Sequence, residues 1–192
     1  GTGGYGSGLF AEWQRLTPSH NTVAIDMESQ KSLADGIVEL FDAEAGCLRV
    51  TAKGIYDAVN YTRQLRVGHS QLEDRFDVQA YEEHTVDWFF YCLGDLQCQY
   101  DTVALTSLGD ENGYQHLFDI RHFTTDDDWS VDFVLADKTV RVAMAGAPGT
   151  TVHLVYSYMD STEHTRQGLV VRRRAVSTCF ETRYTCRRHE CP

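Results

Sequence analysis

No stretch of this 192-residue chain approaches the roughly eighteen consecutive apolar residues that a bilayer-crossing helix takes. The longest apolar run is Trp88-Phe89-Phe90-Tyr91-Cys92-Leu93, so a membrane-spanning helix is excluded. Positive charge is scarce: 17 Lys and Arg stand against 28 Asp and Glu, and the net charge of −11 repels phosphate backbones, which argues against nucleic-acid binding. The six cysteines never fall in C-x-x-C spacing, which argues against a zinc ribbon or a disulfide scaffold. A G-x-x-x-x-G-K phosphate loop and a G-x-S-x-G nucleophile elbow are both absent, and no long helical stripe of apolar residues occurs. Disorder is excluded as the main state, because 42% hydrophobic and 23% charged residues are ordinary globular values.

Period-2 alternation is the dominant pattern. In Tyr61–Val67 one face carries Tyr61, Leu65 and Val67, and in Val152–Tyr158 it carries Val152, Leu154, Tyr156 and Tyr158. Short strands are likewise predicted at 22–25, 37–41, 48–52, 72–78, 86–93, 98–104, 131–135, 140–144, 169–173 and 178–184. Turn pairs such as Ala45-Gly46, Gly94-Asp95, Asn112-Gly113 and Pro148-Gly149 separate them. Only Leu9–Leu16 suits a helix, of two turns at most. Many short strands without crossover helices predict an all-β fold, a large antiparallel two-sheet β-sandwich, and the lack of any linker makes residues 1–192 one domain.

Chemistry-bearing residues concentrate in the first thirty positions. Gly1, Gly3, Gly4, Gly6 and Gly8 surround Tyr5, and Arg15-Leu-Thr17-Pro18-Ser19-His20-Asn21-Thr22-Val23 leads to Asp26 and Gln30. This segment resembles the heparinase II/III-like family of polysaccharide lyases, whose β-sandwich carries an Arg-Thr-x-x-His-Asn-Thr-Val-x-x-Asp signature ending in Gln. Here the arginine lies two residues before the threonine, and Met27 stands where the family usually has glycine. The resemblance continues in order through Tyr61-Thr62-Arg63, through His84-Thr85-Val86-Asp87-Trp88 and through Asn112-Gly113-Tyr114 to Asp128-Trp129-Ser130. It ends at Val170–Arg174 followed by Ser177–Phe180.

The resemblance implies a portion of a longer chain, a β-sandwich that follows an α/α toroid. It implies cleavage of a uronate-containing polysaccharide, alginate- or heparan-like, by β-elimination, in a periplasmic or secreted setting. It also implies that most catalytic groups lie in the toroid or in a Gly-His-x-His segment before Gly1, so that this chain alone is inactive. Two positions carry over. Tyr5 is the candidate facing the sugar, and His20 is the candidate zinc ligand, its other partners lying upstream. Zinc is therefore expected in the intact parent and not in this chain alone. Asn21 and Thr22 are expected to support the His20 ring.

Arg121 and His122 are candidates for contact with an anionic sugar, with pairing of Arg121 to Asp119 or Asp126 as the alternative. Asp126-Asp127-Asp128 reads as a solvated turn, since the spacing of a calcium loop is missing. The run Arg172-Arg173-Arg174 is split between faces by alternation, as are His84 and Asp87. Cys186, His189 and Cys191 superficially offer metal donors, but an irregular or disulfide-tied end is preferred. The expected partners are an acidic polysaccharide and the toroid, with no nucleic acid and no membrane span. The alternative function is a non-catalytic carbohydrate-binding or structural β-sandwich module that uses exposed aromatics such as Trp13, Trp88 and Trp129.

Overall fold

Alternating strands leave their backbone N–H and C=O groups to be satisfied by neighbours. The computed structural model, which describes residues 8–30 and 35–189, gathers them into one twelve-stranded sheet. The strands are β1 (Val23–Ile25), β2 (Ile37–Asp42), β3 (Cys47–Tyr56), β4 (Val59–Val67), β5 (Gln71–Cys92) and β6 (Asp95–Gln97). They continue with β7 (Val103–Leu105), β8 (Leu117–Thr125), β9 (Trp129–Val134), β10 (Lys138–Met144), β11 (Thr150–Tyr158) and β12 (Thr165–Arg188). The main path runs β2-β3-β4-β5-β12-β10-β9-β6; β1 joins β5, and β11, β8 and β7 extend from β12.

The all-β, antiparallel reading holds, but the ladder is one continuous sheet rather than two. Two very long strands make the difference. β5 has 22 residues and β12 has 24, and they pair with each other on both sides of a bend. At the bend, residues 80–83 of β5 stand opposite Val176 alone, because the register passes from His84↔Ala175 to Gln79↔Ser177. Such a bulge turns a strand without ending it. The start of β5 and the end of β12 form a first arm with β4 and β10, and the other halves form a second arm with β1 and β11.

The breaks predicted at 79–85 and 174–177 are therefore this bend, where Tyr81 and Val176 are exposed and the alternation is lost. Of the strand predicted at 98–104 only Val103 and Ala104 are in a strand, β7; residues 98–102 lie outside any strand, and β6 precedes them. β8 has no counterpart in the predicted set. Its alternation is interrupted at Asp119, which takes φ +49°, beside the register shift between Leu154 and Tyr156 of β11. The expected helix is a single π-helical turn, Phe10–Gln14, and this wide turn buries Trp13 and Gln14 together.

Two apolar clusters lie on opposite faces of the second arm. The larger joins Trp88, Val171 and Val152 of that arm to Phe76, Phe180, Trp129 and Phe133 of the first. Rings meet across the gap: Phe90 lies 5.7 Å from Phe133 and 4.9 Å from Tyr184, and Trp88 lies 6.4 Å from Phe180. The smaller gathers Trp13, Phe89, Tyr114, Val155 and Val170. It forms where the N-terminal turns and the loop before β8 cover the outer side. Burying one such aromatic side chain is worth about 1.5–3 kcal/mol.

Candidate functional site: a clamped segment presenting His20

Thr17-Pro18-Ser19 forms one 3-10 turn after an extended Leu16, and the next residues pass directly into β1. Pro18 suits the first positions of that turn, where no N–H is needed. Ser19 Oγ donates to the carbonyls of Gln14 (3.1 Å) and Leu16 (3.0 Å), and the His20 N–H donates to Thr17 O (3.1 Å), which fixes the turn. The segment is then held from both arms. The Tyr91 hydroxyl donates to Pro18 O (2.5 Å), and the Tyr91 N–H donates to Asn21 Oδ1 (2.8 Å). Asn21 Nδ2 returns a bond to Tyr91 O at 3.3 Å. From β12, Arg166 donates to Ser19 O (2.7 Å) and stacks 4.1 Å over the Tyr91 ring. From β4, Arg63 donates to Asn21 O (2.8 Å) while gripping Asp74 with two bonds of 2.9 and 2.6 Å.

His20 emerges from this clamp exposed to solvent. Its pKa is lowered from the ordinary histidine value, first because packing partly withdraws the ring from water. The Gln14 carbonyl opposes that shift, and the Arg166 charge adds to it. A neutral imidazole is the protonation state that a metal ligand needs. Among the described residues, however, no group of three or more His, Cys, Asp or Glu side chains is placed to hold a metal. Around His20 the described residues therefore offer a metal a single donor, where a zinc site takes about four. The expected supports of the ring are different ones: Asn21 is engaged by Tyr91, and Gln14 and Arg166 flank the imidazole instead.

The other motif residues turn out to bind one another. Asp26, at the end of the first signature segment, accepts His84 Nδ1 at 2.6 Å and the Thr85 N–H at 2.8 Å. Asp26 and Met27 both take positive φ, +50° and +58°, so Met27 sits in the left-handed turn that a glycine would adopt without strain. Asp87 faces away from Trp88 and is fully buried. It accepts two bonds of 2.7 Å from Arg172, its direct cross-strand partner, and one of 2.6 Å from the Tyr114 hydroxyl. Tyr114 reaches it because Asn112 and Gly113 turn the chain through positive φ. Burial and the adjoining Asp87 carboxylate keep the Tyr114 phenol protonated far above the usual range.

The three consecutive arginines have three different environments. Arg172 meets Asp87, and Arg174 pairs with Glu83 at the surface. Arg173 is buried over the Phe180 ring and donates to Thr150 Oγ1 (2.9 Å), Cys179 O (2.7 Å) and Ala145 O (3.2 Å). Burial lowers its pKa to about 10. Asp126 and Asp128 cap the 146–149 turn by accepting the Gly149 and Gly146 N–H groups, each at 2.7 Å, which explains that acidic run.

Arg121 and His122 are adjacent in β8 and so project from opposite faces. Arg121 is exposed and donates to Thr102 Oγ1 (2.7 Å) and Thr102 O (3.3 Å), not to Asp119 or Asp126. It borders a groove of about 560 Å³ with Tyr100, Asp101, Tyr156 and Gln167. His122 is half-buried on the other face, its ring tilted against that of His153 at 5.7 Å, and its Nδ1 is buried without a partner. The two are thus not brought together. Tyr5 and Cys191 lie outside the described residues. Trp13, Trp88 and Trp129, named as exposed glycan platforms in the alternative reading, are 0%, 1% and 3% exposed, so they pack the core instead. Alternation puts Trp88 on one face of its strand but cannot say that both faces of the second arm are covered.

Sequence reasoning missed Arg63, Asp74, Tyr91 and Arg166 as parts of the site. Arg63 stood inside a quoted motif, yet one partner, Asp74, lies on the neighbouring strand and the other, the Asn21 carbonyl, is 42 residues away.

No family model matches the sequence, and no curated protein matches it. Solved structures do. A heparinase III gene product with methylated lysines superimposes at TM-score 0.66 with 11% identity, over 92% of this chain and 25% of that one. A mutant of the heparan sulfate lyase HepC from Pedobacter heparinus superimposes at 0.65 with 10% identity, over 100% of this chain and 28% of that one. A further heparinase III gives 0.61 with 14% identity, over 92% and 24%. The chain spans about a quarter of the length of these structures, and identities this low speak for fold alone. Its fold is that of the heparinase II/III-like β-region.

Proposed function

We propose that this chain is the β-sandwich portion of a polysaccharide lyase that cleaves a uronate-containing, heparan- or alginate-like polysaccharide by β-elimination outside the cytosol. In this reading the two arms pack face to face as the sandwich. Their clamp holds His20 at the surface as one ligand of a zinc ion shared with residues outside this sequence, and the α/α toroid supplies most of the catalytic groups. The observation that carries the reading is the match of essentially the whole chain to one quarter of several heparan sulfate lyases. The exposed, clamped His20 fits a part that completes a site with a neighbouring region. The buried tryptophans remove the carriers of the glycan-binding alternative.

The test compares this chain alone with the natural gene product that contains it, on heparan sulfate and on alginate, by the absorbance of the unsaturated uronate product. The long protein should turn over and this chain should not, since losing even one acid–base or charge-stabilising group costs orders of magnitude in rate. His20→Ala in the long protein should lower zinc content, measured by elemental analysis. Elimination by the isolated chain, or full zinc occupancy in that variant, overturns the assignment.

A further inference from the structure

Cys92 closes β5 and Cys186 lies near the end of β12, and in the structure both are free thiols. They belong to different arms, yet the packing between the arms brings the two strand ends together. Phe90 and Tyr184 meet across the gap at 4.9 Å, and each cysteine lies two residues further along its strand, on the same inward face. A second route leads to the same place. Cys186 stands opposite Val140, Val140 opposite Phe133, and Phe133 opposite Leu96. The Leu96 N–H donates to Gln167 Oε1 at 2.7 Å, and Gln167 is the cross-strand partner of Cys92. Cys92 and Val140 both pack against the larger core cluster.

We propose that Cys92 and Cys186 are a disulfide-forming pair that staples the two arms together at their open end. The Cys92 thiol is raised above its ordinary value, first by burial and then by the neighbouring Cys186, with a hydrogen bond to the Leu93 backbone and the Lys138 charge opposing. Metal binding does not explain the pair, because the described residues contain no cluster of three metal-donor side chains. Inter-sheet disulfides beside an aromatic core are an established way to lock two β-layers.

Glutathione disulfide is the oxidant in the reaction. The exposed Cys186 thiolate attacks one of its sulfurs, forming a mixed disulfide and releasing one glutathione thiolate. The Cys92 thiolate then attacks the Cys186 sulfur and expels the second glutathione, so two protein thiols are oxidised and one glutathione disulfide is reduced. The raised Cys92 pKa lowers its thiolate fraction near neutrality, so the second step speeds up as pH rises.

The experiment incubates this chain with glutathione disulfide, alkylates the remaining thiols under denaturing conditions and maps linked peptides by mass spectrometry. The expected product has lost two of its six alkylatable thiols, and its linked peptide joins Cys92 to Cys186. Closing a loop on the order of 100 residues should raise Tm by about 10 °C over the reduced form. Cys92→Ser and Cys186→Ser should each abolish that difference. A linked peptide joining Cys92 to Cys98 or Cys191, or a Cys92 that stays alkylatable under conditions that oxidise a control dithiol, overturns the proposal. The map is read on the unsubstituted protein and does not depend on either variant folding.

Discussion

Asp87→Asn should destabilise this protein more than any change at its surface. The wild-type carboxylate is fully buried and accepts three charge-assisted bonds, two of 2.7 Å from Arg172 and one of 2.6 Å from Tyr114. Removing its charge leaves the Arg172 guanidinium, whose side chain is only 25% exposed, without a counter-ion. Breaking a buried pair typically costs about 3–5 kcal/mol, and the partial exposure of Arg172 places this one near about 3 kcal/mol. For a domain of this size that is a drop of about 6–12 °C in Tm. The assay is urea unfolding, with the slope checked for constancy. Arg172→Met should cost a similar amount. The double variant should then cost far less than the sum, with a coupling above about 1.5 kcal/mol, because neither charge is left unpaired. A single-variant loss below about 0.5 kcal/mol, or simple additivity, would refute the view that this pair holds β5 to β12.

Three further outcomes are expected. His153 is 4% exposed and burial depresses its pKa to about 4, so the folded state binds its proton less readily than the unfolded state does. Stability should be complete above about pH 6.5 and fall by about 3 kcal/mol as pH drops toward 4; His153→Gln should flatten that acid limb in pH-dependent unfolding, and an unchanged limb would exclude the cause. His20→Ala should change stability by less than about 0.5 kcal/mol, whereas Asn21→Ala, which orphans the Tyr91 N–H, should cost about 1–3 kcal/mol; equal losses in denaturant midpoints would mean that His20 is a core residue. Gly168 lies opposite Tyr91, and an added Cβ would come within 2.3 Å of the Tyr91 ring, so Gly168→Ala should cost about 1–3 kcal/mol and loosen the clamp; an unchanged Tm together with unchanged amide protection of Asn21 would contradict this.

The alternation of Tyr61–Val67 and Val152–Tyr158 determines strands by itself, because a half-buried pleated surface tolerates only period-2 burial. The same logic by itself separates Arg172, Arg173 and Arg174 and places Asp87 away from Trp88. The ordered motifs were legible as a family resemblance, yet what they do was not. Asp26 meets His84, Arg63 meets Asn21, and Asp87 meets Arg172 and Tyr114 only because segments distant in sequence lie side by side. Nothing local in a carboxylate records which arginine will face it.

Tertiary structure alone also decided the sheet's connectivity. Residues 79–85 lose their alternation at a bulge, and a bulge and a strand end look alike in sequence; only cross-strand hydrogen bonding carries β5 and β12 through the bend. β8 escaped for the related reason that Asp119 disturbs its period while β11 supplies its ladder. The tryptophans show the remaining limit, since a one-dimensional pattern says which side of a strand is apolar. Whether that side meets solvent, a sugar or the opposite arm depends on where the chain returns in space, and here it returns to bury all three.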